Sequence, residues 1–176
     1  VDPFYDPPED QLIGKCHFYM ESLAYLLDNS QSVPIVDQAG RKQGEVLISV
    51  IPVSLDGKEV EPTEEPTSML GKMLEFVVAI TRAEGLPKGL CTSPFARFNI
   101  LGDTQTHQTP VIAGRTDKPR WDYERSFKIK VDTDFLSFLE SGALAVEVWA
   151  QQALSGAVSS SGKQVRQARV LFIYLK

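Results

Sequence analysis

Apolar and polar residues alternate along most of the chain, and this pattern predicts β-strands. In the clearest case Phe127, Ile129 and Val131 alternate with Lys128 and Lys130, so one face is apolar and the other basic. Other segments show the same period of two or a run of β-branched residues. The predicted strands lie at residues 12–20, 35–40, 44–51, 74–80, 96–100, 127–131, 144–148 and 170–174. About eight such strands predict an all-β fold, an antiparallel β-sandwich with one short helix.

One segment departs from the period of two and predicts that helix. Phe135, Phe138 and Leu139 fall at helical spacing. Thr133 is the predicted N-cap and Gly142 the predicted terminator. The helix therefore leads directly into the strand that ends at Trp149.

A change of composition marks the one candidate boundary inside the chain. Residues 54–71 are rich in glutamate and proline, with no large core residue beyond Val60, which is typical of a mobile acidic linker. The strands after this linker are too few to complete a sandwich, so we expect a single module over residues 1–176. Its predicted parts are N-terminal strands in 1–53, an acidic linker loop in 54–71 and a core in 72–176. Phe4 and Tyr5 are expected to anchor an extended, polar lead-in.

Composition narrows the class of protein. The net charge of −5 argues against a broad nucleic-acid surface. No apolar run approaches the roughly 18–20 residues that cross a bilayer. The start of the chain lacks the features of a signal peptide, and we expect a segment of a larger protein. Cys16 and Cys91 are interpreted as reduced thiols of an intracellular protein.

No catalytic constellation is apparent. His17 and His107 have no nearby cysteine, serine or carboxylate in a nucleophile arrangement, and we expect both to be surface or half-buried side chains. No phosphate-binding glycine motif is present. The sequence predicts no enzyme and no cofactor.

Several short motifs resemble C2 domains. They are Ala-Glu-Gly-Leu-Pro at 83–87, Ser-Pro-Phe-Ala at 93–96, Lys-Pro-Arg-Trp-Asp at 118–122, and the strand ending in Val-Trp at 148–149. The resemblance implies a C2-like β-sandwich. Calcium binding by such a fold needs several carboxylates on facing loops. Ser93 stands where the family often has aspartate, Asp103 and Asp117 are isolated, and the loop from Trp149 to Gly162 has no carboxylate. No metal site is therefore expected.

Longer stretches resemble the stalk or tail of kinesin-3 motors. They are residues 2–9 with 12–14, 33–40 with 44–46, and above all 135–149. Within that family the chain looks nearest to the kinesin-like protein 6 branch. The resemblance implies a module of a microtubule motor whose ATPase lies outside this chain. In the family this region is called the MAGUK-binding stalk, after membrane-associated guanylate kinase homologues, the scaffold proteins whose guanylate-kinase-like domains it binds in some members.

The same resemblance implies further partners and a location. The motor's own head or coiled coil is an expected partner, in an autoinhibited state. Contact with microtubules is expected only through the parent motor, and the location is cytoplasmic and cytoskeleton-associated through that motor.

Basic residues cluster between positions 115 and 130. They are Arg115, Lys118, Arg120, Arg125, Lys128 and Lys130. One interpretation is a solvated face balanced by neighbouring carboxylates. The other is a docking patch for an acidic protein surface, a phosphorylated partner or anionic lipid.

Three functions follow as alternatives. The first is a protein-interaction module that couples a kinesin-3 motor to cargo or to its own head. The second is a calcium-independent, anionic-lipid-binding domain that uses Arg120, Arg125, Lys128 and Lys130. The third is a structural spacer.

Overall fold

The computed structural model describes residues 8–152, apart from 55 and 57. Eight strands dominate it, and every strand pair is antiparallel. The elements are β1 (Glu9–Tyr19), α1 (Glu21–Ala24), β2 (Asn29–Val36), β3 (Lys42–Val53), a 3-10 helix (Pro66–Met69), β4 (Met73–Glu84), β5 (Phe95–Asn99), β6 (Thr106–Gln108), β7 (Arg120–Lys130), α2 (Thr133–Ser141) and β8 (Ala143–Gln152). The predicted all-β fold with one short helix, α2, is confirmed, and α1 adds a single helical turn.

The strands follow one another in the order β6-β5-β8-β1-β2-β3-β4-β7. Within that order β1 and β2 are joined by a single residue pair, Lys15 with Val36. The neighbouring strands β1 and β8 pair from Glu9 to Tyr19. The curled sheet therefore divides at the Lys15–Val36 pair into two four-stranded sheets, β6-β5-β8-β1 and β2-β3-β4-β7, whose apolar faces share one core.

Gly14 makes this junction between the sheets. A Cβ atom at Gly14 would lie 2.6 Å from the Val36 carbonyl oxygen and 2.8 Å from Ile35 Cγ2. Only glycine allows the two backbones to approach this closely. The register of β1 against β8 shifts between Leu12 and Gly14, which indicates a β-bulge at Ile13.

The core is built from the predicted apolar positions. Leu74, Phe76, Val78 and Ile80 of β4 are buried, as are Leu144, Val146 and Val148 of β8. Phe76 stacks on Phe127 at 5.5 Å and on Phe135 at 6.4 Å between ring centroids. Each such side chain contributes about 1.5–3 kcal/mol by leaving water.

At the far ends of the strand order, β6 and β7 meet through side chains. The His107 ring lies 4.9 Å from the Phe127 ring, and Phe98 lies 6.2 Å from Phe127, between centroids. Within the described part of the chain no backbone pairing joins β6 to β7. We call Phe98, His107 and Phe127 the aromatic seam.

The seam overturns one prediction. His107 was expected to be a surface or half-buried side chain, but it is only 4% exposed. The prediction was wrong because β6 carries the imidazole inward against two phenylalanine rings. The strand β6 itself was not predicted. The eight strands described are therefore not the same eight that the sequence predicts. The predicted closing strand at 170–174 lies outside the described residues, as do residues 153–162 of the loop after Trp149 and the anchors Phe4 and Tyr5.

The cap of α2 is Asp132 rather than Thr133. Its carboxylate Oδ1 accepts a hydrogen bond from the Phe135 backbone N–H at 2.8 Å. Asp132 has an extended backbone, φ −105° and ψ −179°, whereas Thr133 is already the first helical residue. The prediction was therefore displaced by one position. Gly142 ends the helix as predicted.

The acidic segment at 54–71 also differs from its prediction. It does contain a large core residue, because Met69 of the 3-10 helix is buried. The Thr63 backbone N–H donates to the Tyr25 carbonyl at 3.0 Å, which ties the segment to the end of α1. Strands before and after it pair with each other, β1 with β8 and β3 with β4. The proposed boundaries of the module remain a prediction.

Candidate docking surface on the outer face of β7

Lys128 and Lys130 lie on the outer face of β7, the last strand of its sheet. Both are exposed, and they alternate with the buried Phe127 and Ile129. Among the described residues neither lysine lies within 4.0 Å of a carboxylate. Their ammonium groups are therefore available to a partner.

Exposed aliphatic side chains lie beside these lysines. Val53 of β3 pairs with Glu75 of β4, which in turn pairs with Lys128, and Met73 pairs with Lys130. Residues paired in this way point to the same face of a sheet. Ile51, two residues before Val53, shares its face. The exposed fractions of Ile51, Val53 and Met73 are 43%, 38% and 42%.

We call Ile51, Val53, Met73, Lys128 and Lys130 the outer patch. Exposed apolar residues are ordinary when they are scattered singly, but these are neighbours on one face. Aliphatic side chains with adjoining ammonium groups can bury apolar surface and attract a negatively charged partner, and the half-buried Glu75 lies on the same face between Val53 and Lys128.

The structure does not place the other four candidate cations beside these lysines. Arg120 Nε lies 2.8 Å from Asp122 Oδ2 in an ion pair at the start of β7. Arg115 donates to the Lys88 carbonyl oxygen. Lys118 is exposed in the loop before β7.

Arg125 lies on the opposite side of β7. It pairs with the buried Val78, whereas Lys128 pairs with Glu75. Burial raises the pKa of the Tyr123 hydroxyl, and the charge of Arg125 partly opposes that rise. The six predicted cations are therefore at least two separate groups, and their role in binding stays a prediction.

The aliphatic part of the outer patch was missed at the sequence level, although a signal was present. Apart from Ser49, the run from Val46 to Val53 is apolar at successive positions rather than at every second one. Such a run indicates a strand with apolar residues on both faces. The core buries only one of those faces, so apolar residues on the other face stay exposed.

The loops at the end of the sandwich use their polar groups internally. Ser93 is buried with φ +49°, and the Trp121 indole N–H donates to the Pro94 carbonyl at 3.2 Å. Asp103 Oδ2 is hydrogen-bonded to His107 Nε2 at 2.8 Å. In the described ranges no three His, Cys, Asp or Glu side chains are grouped as metal ligands.

Both cysteines are free thiols in the core. Burial raises the pKa of the Cys16 thiol to about 12, which keeps it protonated and unreactive. None of the helices described is long and apolar enough to span a membrane.

Comparison with known proteins adds a family and a set of relatives. Residues 74–164 match the family model described as C2 domain. The chain is 29% identical over 170 residues to kinesin-like protein KIF13B of Homo sapiens, which covers 85% of this chain and 9% of that protein. It is 24% identical over 157 residues to kinesin-like protein KIF28P of Homo sapiens, and this match covers 86% of this chain and 16% of that protein. It is 30% identical over 114 residues to kinesin-related protein 1 of Dictyostelium discoideum, and this match covers 60% of this chain and 5% of that protein.

These matches agree with both resemblances predicted from the sequence, to C2 domains and to kinesins. The chain spans only a small part of each relative, from 5% to 16% of its length. The branch within the kinesins stays a prediction.

Proposed function

The chain belongs to the C2 domain family, and from this premise we propose that it is a non-catalytic protein-interaction module in the tail of a kinesin-3 motor. It couples the motor to a scaffold or cargo protein, for which a guanylate-kinase-like domain is the first candidate. The motor's own head is the second candidate, in an autoinhibited state. The parent motor places the module in the cytoplasm on microtubules.

The outer patch is the observation that supports this proposal. Partners bury apolar area at the centre of an interface and keep charges near its rim. Ile51, Val53 and Met73 supply the apolar area, and Lys128 and Lys130 supply the charge. Electrostatic attraction of this kind raises the association rate and depends on salt. A partner with an acidic rim around an apolar centre fits best.

A lipid surface is the second candidate, because the same combination suits anionic membranes. Lysines near such a membrane contribute about 1 kcal/mol each, and aliphatic side chains enter the interface between headgroups and acyl chains. The experiment therefore needs a protein arm and a vesicle arm.

The protein arm measures calorimetric binding of the 176-residue chain to a guanylate-kinase-like domain and, separately, to the parent motor head. The test variant is Lys128→Glu/Lys130→Glu. The matched control is Lys42→Glu/Lys88→Glu, which makes the same charge change at two exposed lysines that belong neither to the outer patch nor to the six candidate cations. We expect binding to at least one partner, weakened about tenfold or more by the test variant and little by the control. Equal losses in both variants, or no binding to either partner, would count against the outer patch.

The vesicle arm uses phosphatidylserine/phosphatidylcholine vesicles and pure phosphatidylcholine vesicles. If the chain binds only the anionic vesicles, loses this binding with Lys128→Glu/Lys130→Glu and binds neither protein, the lipid function replaces the protein function. A longer motor that keeps its cargo distribution and its autoinhibition after deletion of this module would leave only the structural spacer.

A further inference from the structure

The outer face of the sheet β2-β3-β4-β7 is apolar beyond the outer patch itself. Along its two central strands, β3 and β4, outward side chains alternate with side chains of the core. The outward apolar residues of these two strands are Leu47, Ile51, Val53, Met73, Val77 and Ala79. Polar side chains, Ser49 and Glu75, interrupt them at one position in each strand. Most of the outer surface of β3 and β4 is therefore apolar.

The outer face of the other sheet has a different character, because its charged residues pair with one another. Lys15 Nζ lies 3.6 Å from Glu147 Oε1, and Arg97 Nη2 lies 3.7 Å from Asp10 Oδ2. An antiparallel sheet usually turns a polar face of this kind to water. Apolar residues grouped on both faces of β3 and β4 indicate instead that a further layer packs on the outer one.

The charges on β7 indicate what that layer is. Lys128 and Glu124 lie on the outer face, two residues to either side of Ser126, and all three are exposed. Within the described part of the chain, neither charge has an oppositely charged group within 4.0 Å. Ser126 itself belongs to a row across the sheet with Val77 and Ile51. Opposite charges at equal distances from a centre complement the same surface turned through a two-fold rotation.

We propose that two copies of this chain associate face to face through the sheets β2-β3-β4-β7, about a two-fold axis along the row of Ile51, Val77 and Ser126. Each of these residues then lies opposite its own counterpart, so the apolar parts of both faces are buried together. Lys128 of each copy faces the partner's Glu124, which places two equivalent ion pairs at the β7 side of the interface.

This arrangement goes beyond the partner binding proposed above. It covers the outer patch, so a second copy and a partner protein would compete for the same residues. Glu75 lies two residues from Val77 and would face the partner's Ala79, beside its own cross-strand neighbour Lys128. Burial of this half-exposed carboxylate has a cost that limits the affinity of the dimer.

The size of the face also sets a limit. Strands lie about 4.8 Å apart and six residues of strand span about 20 Å, so four strands present roughly 400 Å² per copy. Stable complexes bury about 800 Å² on each partner. We therefore expect a weak dimer, with a Kd on the order of 100 µM.

Sedimentation equilibrium of the 176-residue chain, from about one tenth to about ten times that concentration, tests the proposal. The average mass should rise from one chain towards two. Lys128→Glu and Glu124→Lys should each weaken association about tenfold or more, because each places like charges opposite one another. The double variant Lys128→Glu/Glu124→Lys exchanges the two charges and should restore association. Lys88→Glu, the same charge change in an exposed loop before β5, is the control and should leave association unchanged.

Three results would overturn the dimer. One is a constant monomer mass over the whole range, and another is a folded double variant as weak as the two single variants. The third is a monomer in which Ile51 and Val77 show nuclear Overhauser contacts with residues 1–7 or 153–176, since the chain would then cover this face itself. A chain that stays monomeric but binds a guanylate-kinase-like domain overturns this inference alone and leaves the proposed function in place.

Discussion

The two sheets meet along two lines, and the contrast between these lines explains much of the molecule. At the β1–β2 junction, backbone meets backbone, with one residue pair and a glycine that leaves no room for a side chain. At the aromatic seam, β6 and β7 share no backbone pairing among the described residues, and rings fill the space between them. An added side-chain atom is therefore expected to destabilise the first line, and the loss of a ring the second.

The two lines also differ in what they expose. The junction holds the sheets together at one residue pair and leaves a groove beside it. The seam encloses His107 almost completely, and the imidazole has Asp103 as its hydrogen-bonding partner. The seam is therefore expected to be the more stable closure of the two.

Removing a ring from the seam is expected to have the largest effect. Phe127 contacts the rings of Phe76 and His107, at 5.5 and 4.9 Å between centroids. Phe127→Ala should lower the free energy of unfolding by about 4 kcal/mol, because it leaves a cavity at the meeting point of both sheets. Denaturant unfolding measures this change. Tyr19→Ala removes an aromatic side chain that is 66% exposed and should change stability by less than about 0.5 kcal/mol. Similar losses in the two variants would show that the seam does not hold the sheets together.

Adding one atom at the junction is expected to have the next largest effect. In Gly14→Ala the new Cβ would meet the Val36 carbonyl oxygen at 2.6 Å, so the strands must separate. We expect a loss of about 2–3 kcal/mol, measured by the same denaturant unfolding. Gly89→Ala is the matched control, because nothing lies within 4 Å of a Cβ there. A Gly14→Ala variant as stable as the control would mean that the junction can widen freely.

The smallest predicted effect concerns the acid stability of the seam. Hydrogen bonds from the Gln105 backbone N–H and then from His107 hold the pKa of Asp103 below its usual value. A carboxylate whose pKa is lowered by folding stabilises the folded chain above its ordinary pKa of about 3.9 and loses this contribution as the pH falls through the folded value.

Asp103→Asn should therefore lower the thermal midpoint at pH 7, and the difference from the unchanged chain should shrink below about pH 4. Thermal unfolding monitored by circular dichroism over this range gives the measurement. A difference of constant size at every pH would show that the charge of Asp103 is not what stabilises the seam.

Much of the fold could be predicted, because the strands that form the core follow the period of two closely. Phe127, Ile129 and Val131 are buried while Lys128 and Lys130 are exposed, as their alternation predicts. The strand β6 could not be predicted in this way, since Thr106–Gln108 is short and polar on its own. His107 is buried because Phe98, its partner in the pairing of β5 with β6, and Phe127 of β7 surround it.

The candidate site was predictable only in part. Lys128 and Lys130 share a face because they are two residues apart on one strand. Their proximity to Ile51 and Val53 depends on the register of β3 against β4, which a single sequence does not specify. Arg120 belongs to a local ion pair with Asp122, and its position within a cluster of cations gave no sign of this.

The pairing of Glu9 with Gln152 has a mechanical consequence. These residues are the outermost pair of β1 and β8, so a pulling force applied between them acts on adjacent ends of two antiparallel strands. The hydrogen-bonded pairs would then break one after another instead of sharing the force. Under tension the sandwich would open from β1 inwards, and the junction at Gly14 would be reached long before the aromatic seam.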